Sequence, residues 1–213
     1  MPTKFSEAFK INPITLDELG VFDAILDVDT RVFFDPALIN LTSAPEFQDA
    51  RMKIEKYCSD IITLLSHSRM PNDMYWKKAD RMLKFRELSG TCFGYSQKGT
   101  GGNAIGRVLR QNILETIVDL IQEGATDPTL FELLGVFQEK IGCDRISDLI
   151  TFILSNEVFT YTDRIVSTLH LESVTIKHHN KIFHVCLNPF NNKPLLCLPS
   201  AVLSPLPIAD SFD

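Results

Sequence analysis

The sequence predicts an α+β fold, a mostly helical domain over residues 1–172 followed over 173–213 by a small C-terminal antiparallel β-sheet and an apolar tail. Three observations predict it. Apolar residues recur at helical spacing through several long stretches before His170. After His170 the texture changes to short β-branched and aromatic runs, "SVTIKHH" and "KIFHVCL". The regular alternation of strands and helices that marks a parallel α/β sheet is missing.

Each element follows from local pattern. "TLDELGVF" opens a short helical turn near Thr15, and "TRVFFDP" reads as a short strand stopped by Asp35-Pro36. In "SAPEFQDARMKIEKYCSDIITLLSHS", Ser43 is placed to cap a helix whose first turn holds Pro45 and Glu46. Phe47, Met52, Ile54, Cys58, Ile61, Ile62 and Leu65 form its apolar face. A basic helix is expected over 73–85. "NAIGRVLRQNILETIVDLIQEG" gives another, with Asn103 as cap and Gly124 as stop. "DPTLFELLGVFQEKIG" predicts one or two short helices, and "DRISDLITFILSNEVFTYTDRIVSTLHL" a long helical stretch broken near Ser155-Asn156. Asn180-Lys181 is the expected hairpin turn, which pairs Ile182 with His179 and His184 with Lys177.

At 213 residues the chain is long enough for one domain with a full core. Hydrophobic content of 45% and charged content of 23% are ordinary for a globular protein. No apolar run reaches the roughly 20 residues that span a bilayer, and "MPTKFSEAFKINP" lacks a signal-peptide core. A cytoplasmic protein with no membrane partner is expected. Five scattered cysteines without a C-x-x-C read as reduced, packed thiols. The apolar, proline-rich end "PLLCLPSAVLSPLPIADSFD" suggests a fragment of a longer chain or a segment that docks on a protein partner; packing on its own domain is the equal alternative.

Charge is unevenly spread. The net charge of −6 argues against a general nucleic-acid binder. Between Arg69 and Arg110, however, nine cations face three acids, a balance of +6. Residues 11–66 carry −6 and residues 115–172 carry −8. The basic segment either neutralises its acidic neighbours within the fold or presents a patch to phosphate. In "DMYWKKADRMLKFR" the cations Lys77, Lys78 and Arg81 interleave with Tyr75, Trp76 and Phe85, the mixture that phosphate pairing and base stacking require. Packing of Trp76 and Leu83 into a core is the competing reading. Downstream, "KGTGGNAIGR" has Gly99, Gly101, Gly102 and Gly106 leading into a helix, with Lys98, Arg107 and Arg110 supplying charge beside them. Glycines let backbone N–H groups approach an anion closely at a helix N-terminus. Neither a P-loop nor a dinucleotide fingerprint is present, so a plain flexible connection stays open.

Two further constellations carry possible chemistry. Asp144 and Asp148 stand one helical turn apart. With Asp144 at zero, Asp148 falls near ~40° and the stripe Ile146, Leu149, Ile150, Ile153 near ~190°. Helix capping explains both carboxylates; the alternative is a site for Mg²⁺ or Mn²⁺, completed by Asp27, Asp29 or Asp35. In "KHHNKIFHVC", the expected register puts His179, His184 and Cys186 on one sheet face, a donor set for zinc or simply an exposed hairpin.

Asp27-x-Asp29 and Asp144-x-x-x-Asp148 are similar to the nucleophile and late metal motifs of haloacid-dehalogenase-type phosphatases. Arg31 stands where those proteins carry threonine, and no apolar strand leads into Asp144, so nothing is carried over. The blocks "TRVFFDPALI", "DRISDLITFIL" with its later "YT", and "PLLCLPSAVLSPLP" together resemble poorly characterised bacterial proteins of anti-phage and mobile-element gene neighbourhoods. That resemblance implies a bacterial cytosolic protein concerned with nucleic acid and supplies no active site.

The residues therefore predict a module that binds a phosphate-rich ligand, nucleic acid or nucleotide, through Trp76, Lys77, Lys78, Arg81, Lys98, Gly99, Gly101, Gly102, Arg107 and Arg110. The alternatives are a metal-dependent nuclease or phosphodiesterase using Asp144 and Asp148, and a scaffold or regulatory subunit without chemistry.

Overall fold

A computed structural model describes residues 2–94, 106–124, 127 and 143–206. It is an α+β fold. Helices α1 (Phe5–Ala8) and α2 (Pro13–Glu18) lead to strand β1 (Val32–Phe34), then α3 (Ala50–Ser66), α4 (Met74–Met82) and α5 (Arg107–Gln122). Helices α6 (Cys143–Ile153) and α7 (Ser155–Thr168) follow. Strands β2 (Val174–His178), β3 (Lys181–Leu187), β4 (Pro194–Leu195) and β5 (Leu203–Pro205) complete the chain. No described helix is long and apolar enough to cross a membrane.

Pro13 at the first position and Asn12 as cap, its side chain accepting from Ile14 N at 3.1 Å, start α2. Asp35 ends β1 as expected and caps the 3₁₀ turn Pro36–Leu41. Helix α3 starts later than Ser43 because Pro45–Phe47 forms its own 3₁₀ turn. That turn resets the helical phase: Phe47 still enters the core, but Met52 is 63% exposed. Ile54, Cys58, Ile61, Ile62 and Leu65 keep the predicted buried face. Gly124, with φ +90°, follows the end of α5 as predicted. Asn103 and most of "DPTLFELLGVFQEKIG" lie outside the described residues.

The break between α6 and α7 falls at Leu154, fully buried, just before Ser155. Helix α6 buries Ser147, Leu149, Ile150 and Thr151. This face centres near ~280°, not at the ~190° expected from apolar residues alone. The reason is a hydrogen bond: Phe34 N donates to Ser147 Oγ at 2.7 Å, so β1 packs on the hydroxyl side of α6. Small hydroxyls bury readily once bonded.

The hairpin register differs from the expected one by two residues. His178 pairs with Lys181, Ile176 with Phe183 and Val174 with Val185. The turn is His179-Asn180, both at positive φ (42° and 65°), as a two-residue hairpin of matching twist demands. Phe183 and Val185 face the core, and Phe159 of α7 stacks on His178 and Phe183 with ring centroids 4.2 and 5.4 Å away.

The apolar C-terminal segment is stitched to the N-terminal third through residue 206. Strand β5 pairs antiparallel with β1, Phe22 N donates to Leu198 O, and Asp35 N donates to Val202 O. Leu195, Leu196, Leu198, Val202 and Leu206 are buried. Through residue 206 these apolar side chains pack on the domain itself, the equal alternative of the sequence reading. One continuous core takes in Leu16, Phe34, Ile61, Leu83, Ile113, Val158, Val185 and Leu198.

Candidate phosphate-binding face

Helix α4 is fixed at its start by Asp73. Its Oδ1 accepts from Trp76 N at 2.8 Å and its Oδ2 from Arg69 N at 2.9 Å. The hydrogen bond from Trp76 N, ahead of the others, holds this carboxyl below its ordinary range. The buried residues Trp76, Ala79 and Leu83 recur at three and four. With Trp76 at zero they centre near ~330°, while Lys77, Lys78 and Arg81 centre near ~150°, on the opposite side. At the far end, the Tyr57 hydroxyl of α3 donates to the Met82 carbonyl.

Lys77, Lys78, Arg81, Lys84 and Arg86 are all exposed. Among the described residues no acid forms an ion pair with any of them. Arg81 Nε instead donates to Lys77 O at 3.2 Å, which lays the guanidinium back along the helix. Arg110 differs: its Nε lies 2.9 Å from Asp80 Oδ1, and its side chain is only 11% exposed. It is a structural cation locking α5 to α4 rather than a ligand-facing one.

That ion pair sets α5's first turn beside α4's last turn. The other ends of the two helices also meet, with Trp76 near Val118 and Asp119, so the pair is antiparallel. Helix α5 starts at Gly106, which offers no side-chain cap, and has no acid in its first turn. Arg107 is exposed there. The helix dipole thus adds positive potential at the start of α5. Lys98, Gly99, Gly101 and Gly102 lie outside the described residues.

Trp76 is 5% exposed and Phe85 8%. The stacking role expected of Trp76 is corrected: its indole belongs to the core, because Ala79 and Leu83 set the phase of the helix. Tyr75, 37% exposed, packs against His67 with ring centroids 5.7 Å apart. The cationic side of α4 has no aromatic platform among the described residues.

The carboxylates of the metal reading are dispersed into local bonds. Asp27 Oδ1 accepts from Thr3 N at 3.1 Å, and Asp35 accepts from Ala37 N at 3.0 Å and Ser204 Oγ at 2.8 Å. Asp29 sits near Cys92, whose thiol is pushed up to about 11 by burial first and by that charge second. Asp148 is half-buried on α6, and Asp144 lies in that helix's first turn with its side chain outside the described part. Among the described residues no three His, Cys, Asp or Glu side chains gather as a metal site.

The histidines separate as well. His179 leaves the strand for the turn. His184 N and Nδ1 meet Asp163 Oδ1 at 2.6 and 2.9 Å, while Cys186 is buried. Sequence reasoning missed that His178 is the histidine facing inward, 3.1 Å from Ser155 Oγ. It also missed the half-buried Glu46 and the buried Glu157, held by Arg164 and Lys53 respectively. Nothing in local sequence pairs residues so far apart.

No curated protein and no solved structure matches the chain. A family model described as a domain of unknown function, DUF8370, matches residues 10–210. The match takes in the five strands and helices α2 to α7, the basic α4–α5 pair among them, and the chain belongs to the DUF8370 family.

Proposed function

We propose that the chain binds a phosphate-rich polyanion, nucleic acid before free nucleotide, on the solvent side of α4 and the adjoining start of α5. One observation carries this reading: Lys77, Lys78 and Arg81 are exposed opposite the buried side of α4, and Lys84 is exposed just past its end, without an ion pair to an acid among the described residues. Cations held only for stability are usually paired; a row left open to water costs self-repulsion and gains affinity for phosphate. Several cations in a row favour a backbone of repeated phosphates over a single nucleotide. With Trp76 and Phe85 buried, contacts run to phosphate rather than to bases, so binding is tolerant of sequence. A setting in bacterial genome defence, implied by the resemblance of the three sequence blocks, is compatible with such a ligand. The test is fluorescence anisotropy with a labelled duplex of about 20 base pairs, comparing the native chain with a K77E/K78E/R81E variant. Binding by the native chain and its loss in the variant support the proposal; equal binding by both removes this face from it.

A further inference from the structure

The opposite end of the same helix pair holds a cleft with a different charge pattern. Its volume is about 380 Å³, at the small end of the roughly 300–1,000 Å³ usual for ligand clefts. One wall is α5, where Glu115, Val118, Asp119 and Gln122 share a face at spacings of three and four. The other wall is the loop from Ser68 to Pro71, carrying Arg69, and Trp76 lies between the two.

That loop is held in place. The Asp73 carboxylate clamps Arg69 N and Trp76 N together, and Asn72 takes a left-handed conformation at φ +67° to close the bend. Arg69, Glu115 and Asp119 are exposed, and among the described residues no ion pair joins them. One cleft is thus lined by a guanidinium-bearing residue, Arg69, by two carboxylate-bearing residues one helical turn apart, Glu115 and Asp119, and by the apolar Trp76 and Val118.

We infer that this cleft binds a small zwitterion, an α-amino acid with an apolar side chain. Its carboxylate lies against Arg69, its ammonium between Glu115 and Asp119, and its side chain on Val118 and Trp76. Arg69 disfavours a plain amine, and Glu115 with Asp119 disfavour a plain acid; only a ligand with both charges satisfies the walls. This inference is independent of the proposed polyanion face, whose cations lie on the side of α4 opposite Trp76.

Trp76 is the chain's only tryptophan, so its emission reports directly on the cleft. The experiment titrates the full chain with L-leucine and L-methionine, and with leucinamide and N-acetyl-leucine as single-charge comparators. Isothermal calorimetry on the same samples detects binding that leaves emission unchanged. Saturable binding of the free amino acids is expected, weaker by about tenfold or more for each comparator and in Arg69→Gln and Asp119→Asn. Circular dichroism checks that both variants, altered at exposed positions, keep their fold, and K77E/K78E/R81E serves as a control that leaves this binding intact. Absence of saturable binding by both methods at tens of millimolar overturns the inference. So does equal binding of leucinamide or N-acetyl-leucine, or undiminished affinity in both cleft variants.

Discussion

Arg164 and Glu46 form a two-pronged ion pair across 118 residues of sequence, Nε to Oε1 at 2.6 Å and Nη2 to Oε2 at 3.1 Å. The guanidinium also lies 5.1 Å from the centre of the Tyr161 ring. Together they tie α7 to the turn before α3. Burial alone would raise the Glu46 carboxyl, but the Arg164 hydrogen bond and its charge outweigh it and hold the group below its ordinary range. A depressed carboxyl contributes stability that is complete above its unfolded value of 4.5 and is lost as pH falls through the folded value. Glu46→Gln is expected to cost about 2 kcal/mol at neutral pH, after allowance for the solvent that reaches Arg164, 37% exposed. Urea denaturation from pH 7 down to pH 3 checks it, and the difference between native and variant should shrink toward the acid end.

Gly90 offers a sharper test of the packing at the sheet. Its φ is +101°, and a Cβ there would meet Pro194 O at 2.2 Å. Leu196 N donates to Gly90 O at 2.9 Å, so the backbone cannot back away without losing that bond. Gly90→Ala is expected to destabilise by about 3 kcal/mol. Thermal denaturation reads the loss directly.

His178 gives the hairpin a pH response of known sign. Burial first, and the neighbouring His179 second, lower its pKa below 6.5. The ring stacks on Phe159, bonds to Ser155 Oγ, and sits opposite Lys181 in the register. A histidine lowered in the folded state contributes stability above its unfolded pKa and loses it as pH falls toward the folded value. Hairpin stability is expected to decline as pH drops below 6.5. Proton NMR titration of His178 should show the lowered midpoint, and His178→Phe should flatten this part of the stability profile.

Charge reversal on α4 should separate binding from folding. Lys77, Lys78 and Arg81 are exposed and, among the described residues, form no ion pairs. K77E/K78E/R81E is expected to change stability by at most about 0.5 kcal/mol for each of its three surface substitutions. Arg110→Ala breaks a largely buried bond to Asp80 and should destabilise by about 2 kcal/mol. Paired denaturation curves of the two variants check this contrast.

The sequence makes some of this architecture plain and hides the rest for physical reasons. Helix α4 is legible because Asp73 is a strong cap and Trp76, Ala79 and Leu83 set one phase. Which side Trp76 takes is less legible, since cations alternating with aromatics read alike whether the rings point inward or outward. The start of α3 is displaced because Pro45 nucleates a separate 3₁₀ turn, an option that composition alone does not weigh. The hairpin turn slips because His179 and Asn180 both accept positive φ, and histidine is an uncommon choice there. The buried face of α6 turns toward Ser147 because a distant backbone N–H, that of Phe34, needs an acceptor. The tail's burial depends on β1, which lies far earlier in the chain. The Arg69–Asp119 cleft depends on two helices meeting, and no local motif announces it.

The central claim is that the open cations of α4 and the start of α5 meet phosphate, and the salt dependence of duplex binding tests it most directly. Affinity for a labelled duplex should fall linearly on a log–log plot against salt, with a slope near about −3 to −4 for some four phosphate contacts. In K77E/K78E/R81E any residual binding should show a slope close to zero. Undetectable binding by the native chain at low salt, or one slope shared by native chain and variant, would contradict the account.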